Sequence, residues 1–212
     1  MWPVLACATC VGGCLVAERR ASARLLWLAK PLASASFLWA ALAFGALASP
    51  FGRWIAAGLV ASALGDVLLI PKAAPRALRA GMLAFAVGHA LFAVAFWTYG
   101  LKLAGGVGAG MVVAAVCAAA WRWLGPRLGV EDRVAVRLYL GVIGAMLVCA
   151  IGAGLNGAPW QASLGAVLFA LSDVSVAQDR FVASSFASTL WGLPAYYAAQ
   201  LLLAAGAGAA AM

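Results

Sequence analysis

Apolar residues run along this chain in long blocks, and the charged and turn-forming residues collect in the short stretches between them. A helix needs about 20 mostly apolar residues to cross the hydrocarbon core of a bilayer. On that ruler the blocks predict eight spans, at residues 2–17, 25–47, 54–70, 78–97, 103–123, 134–154, 161–177 and 182–205. The seventh follows a turn signal, Asn156-Gly157-Ala158-Pro159. No Ser-, Pro- or charge-rich linker divides the chain, so the pattern predicts one all-α domain over residues 1–212, a polytopic membrane helix bundle. The first block lacks a charged leader and a cleavage site and reads as a span, not a removed signal peptide. The small residues from Gly206 to Met212 are expected to fray.

Composition excludes the soluble alternative. The chain is 67% hydrophobic and only 9% charged, against roughly 25% charged in an ordinary soluble domain. Its net charge of +8 does not point to nucleic acid, because no basic stripe is interleaved with aromatics. The basic residues instead follow membrane topology. Ten of them lie in or beside the first, third, fifth and seventh connections, among them Arg19, Arg20, Lys72, Arg76, Arg79 and Arg180; the even connections hold only Arg53 and Lys102. By the positive-inside rule the odd connections are cytoplasmic and both termini face outward, as in a bacterial inner-membrane protein.

Against this background the buried charges stand out. Only six residues are acidic, yet Asp66 and Asp173 fall inside apolar blocks, within the related stretches Ala63-Leu-Gly-Asp-Val67 and Ala170-Leu-Ser-Asp-Val174. An ionisable group within a span marks a functional site by default. Both aspartates sit four residues before the predicted cytoplasmic end of a span, roughly 6 Å deep at the helical rise. Lys30 and Tyr139 enter from the same side to a similar depth. The shared motif points to two parallel four-helix halves, which would bring the aspartates together at the bundle centre. Two carboxyls close together in a low dielectric cannot both ionise easily: one keeps its proton and the other stays charged. A lysine beside one of them would hold that one ionised and leave the other as the acid.

Other polar residues have weaker claims. His89, midway along the fourth span, reads equally as a pocket residue or as a hydrogen-bonded core histidine. Tyr139, Tyr196, Tyr197 and Gln200 are polar-tipped residues of the sixth and eighth spans, suited to support a site or simply to pack. Ser172 adjoins Asp173, but no G-x-S-x-G elbow accompanies it, which argues against a serine hydrolase. Cys7, Cys10 and Cys14 share one helix face and read as small packing residues more readily than as a redox cluster. A single histidine argues against a zinc site built on several. Glu131 and Asp132 read as a solvated turn, and Asp179 and Arg180 as the last short cytoplasmic one.

Taken in order, Lys30-Pro-Leu32, Leu64-Gly-Asp-Val-Leu68, Phe85-x-x-Gly-His89, Phe169-x-x-Ser-Asp173 and Tyr196-Tyr-Ala-Ala-Gln-Leu-Leu202 resemble the YhhN-type lysoplasmalogenase family of eight-helix membrane proteins. The likeness runs from the second span to the eighth. The family usually carries a tyrosine three residues after the histidine, where this chain has Phe92. The resemblance implies hydrolysis of the vinyl-ether bond of a lysophospholipid substrate, drawn from membrane lipid, to a fatty aldehyde and a glycerophospho-base. Water would be the co-substrate, with no metal or cofactor and no nucleic-acid partner. Asp66 and Asp173 would be the acid/base pair, tuned by Lys30, His89 and Tyr139, with the basic third connection drawing in the lipid phosphate. Two other classes compete: a proton-coupled intramembrane carrier, and a structural protein whose 24 glycines merely pack helices.

Overall fold

A computed structural model describes residues 1–71, 74–102 and 106–210, and among these there is no strand. Eight long helices follow one another: α1 (Trp2–Arg19), α2 (Ala23–Ala43), α3 (Pro50–Leu68), α4 (Pro75–Tyr99), α5 (Gly106–Leu124), α6 (Val130–Leu155), α7 (Trp160–Ala177) and α8 (Phe186–Ala209). On length and composition alone, six of these helical segments, α2 to α7, suffice to cross a membrane. The other two carry polar residues that dilute their hydropathy: α1 ends on Glu18 and Arg19, and α8 holds Tyr196, Tyr197 and Gln200.

Helix ends lie where local chemistry puts them. Ser22, Ser49 and Ser185 each turn a hydroxyl onto the first turn of α2, α3 and α8, satisfying donors that have no partner within the helix. Pro50 stands at the first position of α3, where its missing N–H costs nothing. Two expected boundaries therefore shift: α3 begins at Pro50, not residue 54, and α8 at Phe186, not residue 182. Likewise α2 stops at Ala43, because Gly45 turns the chain at φ 83°, a left-handed conformation that only glycine adopts cheaply. The turn after α6 falls where expected, with Gly157 at φ 90°. The expected start of the fifth span, Leu103, lies outside the described residues.

The expectation of a frayed C-terminus fails for Gly206 to Ala209, and its last residues, Ala211 and Met212, lie outside the described residues. Gly206 to Ala209 continue α8, with Gly206 and Gly208 buried. A Cβ at Gly206 would lie 2.6 Å from the backbone nitrogen of Ala162 on α7, so the absent side chain is what lets the two helices close. Gly206→Ala is expected to cost about 1–3 kcal/mol by overpacking, read as a lower melting temperature of the detergent-solubilised protein. An unchanged melting temperature would mean that α7 and α8 are not held this closely.

Packing has a near two-fold pattern. α1 packs on α2 as α5 does on α6; α2 on α3 as α6 on α7; α3 on α4 as α7 on α8; and α2 on α8 as α6 on α4. This is the arrangement expected of two parallel four-helix halves. α8 departs from it by also packing on α1 and α3, and so becomes the central helix. α5 departs the other way: beyond its own end it packs extensively on α6 alone.

Candidate active site

Each aspartate is held by two helices of the bundle, and the two sets of holders are related by the repeat. Asp66, on α3, is 1% exposed. It is met from α2 by the Lys30 ammonium at 3.4 Å and the Ser34 hydroxyl at 2.7 Å, and from α8 by the Tyr196 hydroxyl at 2.8 Å. Asp173, on α7, is met from α6 by the Tyr139 hydroxyl at 3.2 Å and from α4 by His89 Nε2 at 2.9 Å. His89 and Tyr196 stand 107 residues apart, the same interval that separates Asp66 from Asp173. The two half-sites thus share one layout, with a lysine and tyrosine around one carboxylate and a histidine and tyrosine around the other.

Among the described residues no hydrogen bond joins Asp66 to Asp173; each has its own partners. Aromatic rings fill the space between their partners. His89 lies 4.2 Å from Phe169 by ring centroids, Phe169 lies 5.3 Å from Tyr196, and Phe85 packs edge-on against both Phe169 and Tyr196. The expectation that the carboxyls share one proton directly is therefore replaced by two separately wired groups. They nonetheless face a common space: a cavity of about 440 Å³ is lined by Lys30, Asp66, Tyr139, Asp173 and Tyr196.

His89 is fully buried. Its Nδ1 faces the Met146 sulfur at 3.3 Å, and Nε2 also lies 3.3 Å from the Tyr139 hydroxyl. Ring nitrogens buried this deeply need partners. With the weak sulfur acceptor on one side and a carboxyl on the other, His89 and Asp173 form a pair across which a proton can sit.

The remaining expected residues are less directly engaged. Tyr197 is buried, but its hydroxyl donates to the Lys30 carbonyl at 3.4 Å and not to a carboxylate. Ser172 lines the cavity, yet its hydroxyl donates to the Phe169 carbonyl of its own helix at 2.7 Å. Gln200 is fully buried close to Tyr196, with neither side-chain amide atom in hydrogen-bonding geometry. Asp66 lies two residues before the end of α3, closer to the terminus than expected. Phe92, at the position where a tyrosine is usual, packs its ring against Gly58, where a Cβ would collide with it. The cysteine stripe is a packing seam: Cys7 and Cys14 are buried, and all five cysteines are unpaired.

Three contacts were not anticipated. Ser34 falls one turn after Lys30 on α2, and that spacing was the available signal for its role. Arg180 sits on a π-helical turn that continues α7, not on a free loop, and it reaches across to donate to the Leu69 carbonyl at the end of α3 at 2.7 Å. Glu131 and Asp132 are not a loose turn but the first turn of α6, where acidic residues suit the helix dipole. Both accept from Arg79, at 2.6 and 3.2 Å. Arg79 is thereby engaged away from the cavity, and Lys72 lies outside the described residues. The charged groups that line the cavity besides the aspartates of the site are Glu18, Lys30, Asp179 and Arg180.

A multi-pass helical membrane protein with two carboxylates of the spans facing one cavity is the class that this fold and site define. The chain matches the YhhN family over residues 25–207 and belongs to it. It is 35% identical over 167 residues to bovine "Lysoplasmalogenase TMEM86A", covering 76% of this chain and 68% of that protein. It is 34% identical over 176 residues to the "Lysoplasmalogenase" of Mycobacterium tuberculosis, covering 78% and 65%. Mouse "Lysoplasmalogenase TMEM86B" is 34% identical over 175 residues, covering 79% and 67%. No solved structure matches the chain.

Proposed function

We propose that this protein is a lysoplasmalogenase, hydrolysing the vinyl-ether bond of alkenyl lysophospholipids to a fatty aldehyde and a glycerophospho-base. The observation that carries the reading is the difference between the two carboxylates that face one cavity. Asp66 is countered by an ammonium and two hydroxyl donors, which suits a group that stays ionised. Asp173 is paired with a histidine, which suits a group that delivers a proton.

Vinyl ethers hydrolyse through protonation of the carbon remote from oxygen. The Asp173–His89 pair gives up its proton to that carbon, leaving an oxocarbenium ion. The Asp66 carboxylate stabilises this cation and takes a proton from the water that adds to it. The hemiacetal then collapses: Asp66 returns its proton to the departing glycerol oxygen, and the hemiacetal hydroxyl proton restores the Asp173–His89 pair. Two carboxyls divide labour in the same way in glycoside hydrolysis. Tyr139 orients Asp173, and Ser34 and Tyr196 orient Asp66. Every step uses side chains and water.

In this reading all eight helices cross a bacterial inner membrane. The odd connections are cytoplasmic and both termini lie outside, so the site opens beneath the cytoplasmic face. The relatives' names favour hydrolysis over a carrier.

Purified protein, given an alkenyl lysophospholipid and its saturated-ether analogue, is expected to release aldehyde from the first only. Transport of lipid into vesicles without aldehyde would favour the carrier instead. His89→Phe, which keeps a flat ring against Phe169 but has no proton to share, is expected to lower kcat about 100-fold or more with little change in KM. A wild-type kcat in that variant would remove His89 from the proton path.

A further inference from the structure

The cavity is not confined to the carboxylates. Along α6 it is lined by Leu140, Ile143, Leu147 and Ile151, a single helical stripe that starts beside Tyr139 and runs away from the charged residues. Val113 and Val116 of α5 form one wall, and Val167 and Leu171 of α7 the other. From Tyr139 to Ile151 the stripe covers about 18 Å at the helical rise. That approximates the roughly 15 Å half-thickness of a bilayer's hydrocarbon core, the depth that one long lipid chain fills. Along α6 the stripe ends at Ile151. The side of the groove stays open, because Val116 and Leu171 are both exposed and α5 packs extensively only on α6.

We infer that the groove between α5, α6 and α7 seats the substrate's hydrocarbon chain and measures its length, with Ile151 at its far end. The inference rests on the lysoplasmalogenase reading for the identity of the substrate, and on the shape of the groove for where the chain lies. The scissile bond of an alkenyl lysophospholipid joins a short polar head to a long apolar tail. The carboxylates occupy the corresponding place, between charged groups at one end (Glu18, Lys30, Asp179 and Arg180) and an apolar stripe at the other. A chain that fills the groove fixes its first double bond beside Asp173 and Asp66. A chain longer than the groove overruns its end at Ile151 and displaces that bond. Lateral openness lets the chain slide in from the bilayer without leaving hydrocarbon.

Ile151→Trp shortens the groove at its far end. Aldehyde release across a series of chain lengths is expected to fall about tenfold or more for the longest substrates and to stay within about twofold for the shortest. Retained short-chain turnover also reports that the variant folds. Val112→Trp, on the exposed neighbouring position outside the groove, is expected to leave the profile unchanged. In parallel, a saturated-ether lysophospholipid with a photoreactive group at the chain end, which the enzyme cannot cleave, is expected to crosslink wild-type protein at Val113, Leu147 or Ile151. An unshifted or uniformly depressed chain-length profile, or crosslinks confined to α1, α2 or α8, would overturn the assignment. Should wild-type protein release no aldehyde from any alkenyl lipid, the hydrolase reading fails, and the crosslinking positions alone decide whether the groove holds a lipid chain.

Discussion

Asp173→Asn is expected to reduce aldehyde release by about 100- to 10,000-fold, the range a positioned general acid contributes. The amide keeps the size of the side chain and can still accept from Tyr139 and face His89, so the protein is expected to fold. What it cannot do is exchange a proton with His89. The loss therefore falls on kcat and leaves KM nearly unchanged, because the chain groove and the charged rim are untouched. Asp66→Asn acts differently. It removes the negative charge that faces the oxocarbenium ion and leaves the Lys30 ammonium beside a neutral amide, so the cation is formed next to an uncompensated positive charge. Its loss is expected to match or exceed that of Asp173→Asn. Near-normal turnover by either folded variant would remove carboxylate catalysis from this site.

The second large effect is on stability. Lys30→Met leaves the Asp66 carboxylate, 2% exposed at its side chain, with hydroxyl donors but no countercharge. Breaking a buried ion pair from one side costs about 3–5 kcal/mol. A clear fall in melting temperature is therefore expected, together with loss of activity. The double variant Lys30→Met/Asp66→Asn removes both charges and is expected to recover most of the stability and none of the activity. That combination separates the electrostatic role of the pair from its catalytic one. A double variant no more stable than Lys30→Met would mean that the lysine supports the fold by packing and not by pairing.

Much of this site is legible in the sequence because charge inside an apolar block is costly and therefore stands out. Asp66, Asp173, Lys30 and Tyr139 stand out for that reason, and the structure brings all four to one cavity. The pairing of His89 with Asp173 was not legible. Lys30 falls beside Asp66 and His89 beside Asp173 because α2 packs on α3 and α4 on α6 near α7, and only tertiary packing decides which carboxylate receives which base. His89 and Tyr196 occupy equivalent places in the two halves, but the residues differ, so no motif announces it. Ser34 is hidden for a simpler reason: a serine among alanines in an apolar helix ordinarily bonds back to its own backbone, as Ser36 and Ser62 do here. Ser172, which adjacency to Asp173 made attractive, follows that ordinary habit.

The fold was legible in the number and order of its helices and less so at their ends. Hydropathy locates the apolar middle of a span, whereas caps and turn glycines place its termini. Ser49-Pro50 and Ser185 moved two boundaries by four residues each for that reason. The C-terminal glycines read as a tail in the sequence because small apolar residues look like one when viewed alone. Against Ala162 and Phe44 they form close helix contacts.

Hydrolysis in heavy water tests the central claim most directly. If the Asp173–His89 pair protonates the remote vinyl carbon and Asp66 guides water to the oxocarbenium ion, the aldehyde, trapped at once by reduction, carries one solvent deuterium on the carbon next to its former carbonyl. In oxygen-labelled water it also carries the solvent oxygen, and the glycerol keeps its own. An aldehyde without solvent hydrogen at that carbon, or label found in the glycerol hydroxyl, would contradict the mechanism.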